Sequence, residues 1–189
     1  MGAVAQNSRR DEGWQAGLRL GFRAGPRRTV LAERQRHGPL AVQRAFYPEG
    51  EVCHVYLLHP PGGVVGGDSL AIDVQVGAGA KALVTTPGAT KFYRSAGPRA
   101  RQTQVITLQD EARLEWLPQE NIFFPGAEVE LDTRVELEGD ARLALWEIQC
   151  LGRPVISERF DSGHVDSRLS VSRNGEPVLL ERLRVDPDN

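Results

Sequence analysis

The sequence contains few cysteines: Cys53 and Cys150 are the only two among its 189 residues. Two cysteines cannot build the framework of several disulfides that stabilises small secreted domains. Both lie in apolar, strand-like stretches, which is the usual setting of a buried free thiol. We therefore predict two reduced cysteines and a fold that does not depend on a disulfide.

Long apolar runs are also absent, and stretches such as residues 52–58 are far shorter than a membrane span. Residues 1–13 are polar and lack the apolar centre of a secretory signal. We expect a flexible N-terminal tail over residues 1–13, no contact with a membrane, and a cytoplasmic location.

Net charge is small, at −2 near neutral pH, but it is unevenly distributed. Residues 1–44 contain nine arginines and three acidic residues, so the start of the chain is basic and the remainder is acidic. A basic start is compatible with a nucleic-acid-binding module, whose binding would depend steeply on salt. A solvated basic face is the more common reason for such a pattern, and we expect no nucleic-acid partner.

Helical periodicity is missing, and apolar residues instead recur at every second position. The alternation covers residues 14–22, 70–76 and 129–137, and it is typical of strands with one buried face. Turn-forming pairs separate the strands: Gly25-Pro26, Gly38-Pro39, Gly97-Pro98, Pro125-Gly126 and Asn174-Gly175. The sequence therefore predicts an all-β protein.

Three segments share one pattern, in which an apolar residue is followed by a short polar or small turn, an alanine four positions on, and a strand. The pairs of apolar residue and alanine are Val76 and Ala80, Leu108 and Ala112, and Leu137 and Ala141. A repeat of about thirty residues is typical of stacked supersecondary units, and a small alanine lets adjacent layers approach closely. We predict a single β-helix-like or solenoid-like domain over residues 14–189, in preference to a Greek-key sandwich.

The stretch HPPGGVVGGD, from His59 to Asp68, is unusually rich in glycine. It is not a phosphate-binding loop, because the Gly-Lys-Ser/Thr ending and the following helix are absent, and a dinucleotide fingerprint fails for lack of a strand–turn–helix context. A tight β corner explains the glycines. Asp68 either caps neighbouring amides or faces a partner or a metal.

A second unusual stretch, TTPGATKFYRS at residues 85–95, interleaves cations with aromatic residues. Such a pattern occurs in proteins that bind single-stranded nucleic acid, but two cations are too few to indicate it. Tyrosine, phenylalanine and arginine are common anchors of protein interfaces. We predict a partner-binding segment that consists of Thr90, Lys91, Phe92, Tyr93 and Arg94.

Nitrogen and sulfur ligands for a metal are sparse. Cys53, His54 and His59 lie close together in the sequence, but alternation along a strand points His54 away from the other two. The sequence has no CxxC or HxH motif of the kind that binds zinc. We expect Cys53 to be packed and His54 to be exposed, and we keep a metal role for the three as the alternative.

Three carboxylates, Glu115, Glu147 and Glu181, stand in apolar surroundings, where a carboxylate must be paired, hydrogen-bonded or metal-bound unless it faces outward. No Ser-His-Asp order or activated nucleophile occurs, so we predict no catalytic residue. A β-solenoid that acts on saccharides, or another binding module, remains the alternative function. An enzyme of that kind would need two carboxylates about 5–10 Å apart in a groove, with Asp68, Glu115 and Glu147 as candidates.

Taken together and in order, these motifs resemble those of the urease accessory protein family UreD, called UreH in some organisms. The resemblance covers nearly the whole chain from Trp14 onward. The shared motifs are GPL at 38–40, FYPE at 46–49, CH at 53–54, HPPGGVVGGD at 59–68, TTPGATKFYRS at 85–95, LEWLPQENIFFPGA at 114–127, CLGRP at 150–154 and LERL at 180–183.

The resemblance implies a non-catalytic scaffold that joins the accessory proteins UreF and UreG, the latter a GTPase, on the urease apoprotein to insert nickel. It implies no tightly bound cofactor and a transient passage of nickel(II). We predict that Asp68, Glu147 and Glu181 mark an acidic route for that cation. Similar proteins continue into a C-terminal segment that contains helix, and we expect that segment to be missing from these 189 residues.

Overall fold

The computed structural model describes residues 13–187, and this part of the protein is almost entirely β. The predicted flexible tail lies outside the described residues except for Gly13. The strands are β1 (Gln15–Ala24), β2 (Thr29–His37), β3 (Ala41–Val42), β4 (Cys53–Leu58), β5 (Ser69–Val76), β6 (Lys81–Thr85), β7 (Thr90–Phe92), β8 (Ala100–Leu108), β9 (Arg113–Trp116), β10 (Asn121–Phe123), β11 (Ala127–Leu137), β12 (Arg142–Leu145), β13 (Gln149–Leu151), β14 (Gly163–Arg173) and β15 (Glu176–Val185). One short 3₁₀ helix spans Pro154–Ile156.

The strands wind into a β-solenoid of about four turns, which confirms the predicted fold class. A full turn consists of one long, one short and one three-residue strand; β8, β9 and β10 form one turn, and β11, β12 and β13 form the next. Equivalent strands of successive turns pair in parallel, giving sheets of seven, five and three strands. The orders are β15-β14-β11-β8-β5-β1-β2, β12-β9-β6-β4-β3 and β13-β10-β7.

The repeated alanine lies at the corner between the long and the short strand of each turn. Ala80, Ala112 and Ala141 are at most 1% exposed, and each donates its N–H to a carbonyl three residues earlier. The Arg113 N–H then bonds to the carbonyl of Ala80, and the Arg142 N–H to that of Ala112, both at 2.8 Å. The alanines of adjacent turns are therefore stacked, as the repeat predicts.

The core lies inside the solenoid and consists of the inward-facing residues of the three sheets. Phe92 and Phe123 occupy the same position in successive turns, and their rings stack with centroids 5.2 Å apart. Apolar alternation in β1, β5 and β11 places every second residue in this core, as predicted from the period of two. Cys53 belongs to the same core, and both cysteines are free.

Both edges of the seven-stranded sheet are antiparallel hairpins, β1–β2 at one edge and β14–β15 at the other. The second hairpin is held by Asp166, whose carboxylate accepts bonds from Arg182 at 2.7 and 2.8 Å and from Arg168 at 2.9 Å. The two arginines hold the pKa of Asp166 well below its usual range. Within residues 13–187, no helix has the length and apolar character that a membrane span requires.

Substitution of Ala112 by leucine tests the stacking of the corners. The larger side chain would overlap the neighbouring turns, and we expect a loss of about 1–3 kcal/mol in the free energy of unfolding, measured by urea denaturation. Ala144→Leu is the matched control, because Ala144 is exposed on the outer face of β12. Equal stability of the two variants would contradict close packing at the corner.

Candidate functional site

The glycine-rich stretch forms the connection between β4 and β5 and is a structural corner, as predicted. Gly67 has φ near +92°, a conformation that glycine adopts without strain. Gly63 lies under the ring of Tyr93, and a Cβ atom at this glycine would come within 2.1 Å of that ring. The corner therefore packs directly against the segment predicted to bind a partner.

Asp68 is buried at the end of this corner and acts as a cap. One of its oxygens accepts the backbone N–H of Trp14 at 2.7 Å, and the other accepts that of Val65 at 2.9 Å. Both oxygens are thus used by the protein, which accounts for a buried carboxylate without any metal. Of the two alternatives that the sequence left open, capping is the one observed.

A cavity of about 360 Å³, partly open to solvent, lies next to the corner. His59, Gln102, Gln104, Trp116 and Glu147 are among its lining residues. The indole N–H of Trp116 is buried and has no hydrogen-bond partner within residues 13–187. Burial lowers the pKa of His59, an effect that nearby Asp68 partly opposes, and this favours the neutral imidazole that binds metals.

A chain of polar groups runs from this cavity through the inner face of the long strands. The Gln104 amide donates to the Thr133 hydroxyl at 3.0 Å, and that hydroxyl donates to Glu147 at 2.5 Å. The Ser167 hydroxyl approaches the second oxygen of Glu147 at 3.5 Å. Gln104 and Thr133 face each other in adjacent strands, so the polar groups follow the axis of the solenoid. We call Gln104, Thr133, Glu147 and Ser167 the polar track.

Glu147 and Glu181 lie close enough to influence each other. Burial raises the pKa of Glu147, the bonds from Thr133 and Ser167 oppose this increase, and the Glu181 carboxylate adds to it. Glu181 is exposed on β15, opposite Leu169 of β14. Of the three predicted carboxylates, only Glu147 lines the cavity; Glu181 lies near it on the exposed face of β15, and Asp68 lies near His59 at the corner.

The predicted cluster of Cys53, His54 and His59 does not form. Cys53 is buried and donates to the Tyr47 hydroxyl at 3.8 Å, while His54 lies on the opposite face of β4. The expectation that His54 is exposed is wrong: it is 7% exposed because Phe46 pairs with it through two backbone hydrogen bonds. Within residues 13–187, no three His, Cys, Asp or Glu side chains are grouped so that they could hold a metal ion.

The carboxylates proposed for a saccharide-cleaving site are separated by the sheets. Glu115 is exposed on the outer face of β9, whereas Glu147 lines the cavity and both oxygens of Asp68 are used as a cap. A pair that shares one groove, as glycoside hydrolysis requires, is therefore not assembled from these candidates.

The predicted partner-binding segment is divided by the alternation of β7. Phe92 is fully buried against Phe123 and cannot contact a partner, so its inclusion was wrong. Thr90 is partly buried and lines the cavity, whereas Lys91, Tyr93 and Arg94 are exposed. The ring centroids of Tyr93 and Phe124 are 4.9 Å apart, and the Cζ atom of Arg153 lies 4.8 Å from the centroid of the Phe124 ring. We call Tyr93, Arg94, Phe124 and Arg153 the aromatic patch.

Four residues around the cavity and Glu147 were not predicted: Gln102, Gln104, Thr133 and Ser167. Each occupies an inward position of a long strand, where the period of two calls for an apolar residue. A polar residue at such a position is the signal that identifies them. Because they are neutral, these side chains lack the charge, imidazole or thiol that marks a candidate ligand in the sequence.

Comparison with known sequences gives a consistent result. A sequence model of the family described as "UreD urease accessory protein" matches residues 15–189. A protein named "Urease accessory protein UreD" from Alcanivorax borkumensis is 54% identical over 97% of this chain and 65% of its own length. Proteins of the same name from Pseudomonas putida and Klebsiella aerogenes are 56% and 53% identical, over 95% and 92% of this chain. The chain spans about 65% of the length of these relatives.

The capping role of Asp68 can be measured directly. Asp68→Ala removes the acceptor of two backbone N–H groups, and we expect a loss of about 2–4 kcal/mol in the free energy of unfolding, with a smaller loss for Asp68→Asn. Asp73→Ala is the matched control, because Asp73 forms an exposed ion pair with Arg19 and should cost less than about 1 kcal/mol. If Asp68→Ala is as stable as the unchanged protein, capping does not explain this carboxylate, and contact with a metal or a partner becomes the better explanation.

Proposed function

Because the chain belongs to the UreD family of urease accessory proteins, we propose that it is a non-catalytic maturation factor that passes nickel(II) to the urease apoprotein. In this proposal it acts together with UreF and the GTPase UreG. Nickel(II) is a cargo and not a resident cofactor. The proposed course of the cation passes the corner that Asp68 caps and runs through the partly open cavity to Glu147 and Glu181.

The polar track is the observation that supports this route. The interior of a solenoid is normally apolar, and each buried polar group in it requires a partner. Here Gln104 and Thr133 interrupt the apolar inner face, and they lead to a carboxylate whose charge is only partly satisfied. Hydroxyl, amide and carboxylate oxygens can replace some of the water molecules around a divalent cation.

The scarcity of strong ligands fits a protein that releases its metal. His59 and Glu147 both line the cavity, so one neutral imidazole and one carboxylate are available there. Nickel accepts both kinds of ligand, and tight binding by three or more would oppose its transfer. Within the described residues, no group of that size is present.

The aromatic patch is our candidate for contact with the accessory proteins. Tyr93 is 38% exposed although it belongs to an aromatic pair, and Arg153 is fixed over Phe124 by its bonds to Glu158. A partly exposed aromatic pair beside two arginines has the composition of an interface anchor. The corner that contains Asp68 lies directly behind it, which would place a docked partner beside the cavity.

Glu147→Gln tests the route. The glutamine oxygen can still accept from Thr133, its NH2 group can donate to the Ser167 hydroxyl, and the charge is removed. We expect nickel-dependent activation of urease to fall about tenfold while the melting temperature stays unchanged. Glu181→Gln should act in the same direction. Activation is measured with urease apoprotein, UreF, UreG, GTP and nickel(II).

Glu115→Gln is the control for this experiment, because it removes one carboxylate from the outer face of β9. Activation by this variant should equal that of the unchanged protein. If Glu147→Gln lowers the free energy of unfolding by about 3–5 kcal/mol, Glu147 has a structural role and is not part of the nickel route. Normal activation by a stable Glu147→Gln variant would also contradict the proposal.

Tyr93→Ala and Arg94→Glu test the aromatic patch. Loss of an interface anchor typically weakens association by about 2 kcal/mol or more, so each variant should co-purify poorly with UreF while keeping its β-type circular dichroism spectrum. Lys91→Glu is the comparison, since Lys91 is exposed on the same strand segment but outside the patch. If all three variants lose co-purification with UreF to the same extent, the effect is not specific to the aromatic patch, and the proposed contact is contradicted.

A further inference from the structure

The first edge of the seven-stranded sheet carries a concentration of positive charge that the proposed nickel route does not use. Residues 13–44 contain seven arginines and one acidic residue, Glu33. Arg19 pairs with Asp73, and Glu33 bonds to Gln35. Arg34 and Arg36 of β2 are exposed and make no ion pair or side-chain hydrogen bond within the described residues 13–187. This edge of the solenoid is therefore electropositive and unneutralised.

The two arginines lie on one face of β2. Arg34 is opposite Leu20 of β1, and Arg36 is opposite Leu18. Directly opposed residues of neighbouring strands share a face, so both arginines project on the side of the core. They are nevertheless exposed, because β2 is the outermost strand and no further turn of the solenoid covers them. Alternate residues on one face of a strand are about 6.8 Å apart, which fixes the spacing of the two charges.

The backbone of β2 is free along its outer side for most of its length. Its first residue, Thr29, donates its N–H to the carbonyl of Glu51 at 2.9 Å. The backbone of Leu31 bonds to the Cys53 side chain, and beyond Leu31 the backbone–backbone bonds of β2 within residues 13–187 run to β1 on its inner side. An edge strand of this kind presents unpaired N–H and C=O groups at every second residue, and these groups can accept an added strand.

From this juxtaposition we propose that the β2 edge, residues 33–37, binds an extended acidic segment of a partner protein as an additional β-strand. Backbone hydrogen bonds to the free edge supply the binding geometry. Two carboxylates at alternate positions of the segment meet Arg34 and Arg36. The proposal is independent of the nickel route and of the aromatic patch.

Two other occupants fit the edge less well. A second copy of β2 would place arginine beside arginine, and like charges on neighbouring strands repel. Single-stranded nucleic acid offers no backbone that completes a β-ladder, and it relies on aromatic stacking. Arg34 to His37 include no aromatic residue other than His37. The free edge therefore favours a peptide.

The test uses a synthetic peptide of about eight residues in which threonine and glutamate alternate, with binding to the 189-residue chain followed by fluorescence anisotropy. We expect saturable binding and slower amide hydrogen exchange in residues 31–37 when the peptide is present. Arg34→Glu combined with Arg36→Glu should weaken binding at least about tenfold, which corresponds to about 1.4 kcal/mol. The matched control is Arg113→Glu combined with Arg142→Glu, two exposed arginines on the outer face of the five-stranded sheet, and it should bind normally.

Three comparisons decide the result. A peptide of the same composition with proline at alternate positions cannot complete the ladder, and equal binding of this peptide would overturn strand addition. Stronger binding of an oligothymidylate of similar charge would assign the edge to nucleic acid. Failure of the threonine–glutamate peptide to bind at millimolar concentration, or equal loss in both double variants, would overturn the proposal.

Discussion

Parallel stacking of successive turns in one register is the constraint on which the rest of the structure depends. It places the same inward position of each turn above the next, so Phe92 lies on Phe123 and Gln104 lies beside Thr133. An apolar column and a polar column can then run side by side through the interior. The buried alanines keep the turns close enough for both, since a larger corner residue would separate the strands that carry them.

The architecture could be predicted from the sequence because its determinants are local. The period of two identifies the strands, and the alanine after each long strand identifies the corner and the repeat. The faces of very short strands could not be predicted in this way. The strand β7 has only three residues and is followed by Tyr93, so a shift of its inward face by one position would put Tyr93 in the core in place of Phe92. Burial of His54 depends on pairing with Phe46, eight residues earlier, across a loop that has no regular pattern.

The candidate site was predictable in its charged members and not in its neutral ones. Glu147 is recognisable in the sequence because it interrupts an apolar stretch, and in the structure it lines the cavity. The role of Asp68 depends on the amide of Trp14, which is 54 residues away in the chain and reaches it only because β1 pairs with β5. Thr133 fits an alternating strand so well that its hydroxyl is not conspicuous in the sequence. The roles of Asp68 and Thr133 depend on contacts between turns, and these contacts are known only once the register of the strands is known.

The two antiparallel hairpins at the edges of the largest sheet have a consequence for assembly. A parallel solenoid has no intrinsic end, because the top of one molecule matches the bottom of another and copies could stack without limit into a fibre. In this protein, β2 covers the edge of β1 and β15 covers the edge of β14, each with its chain direction reversed. A second copy that approached either edge of this sheet would meet a strand running the wrong way to continue the parallel ladder. Within residues 13–187, the two reversals therefore prevent a second copy from continuing the parallel ladder at either edge of this sheet.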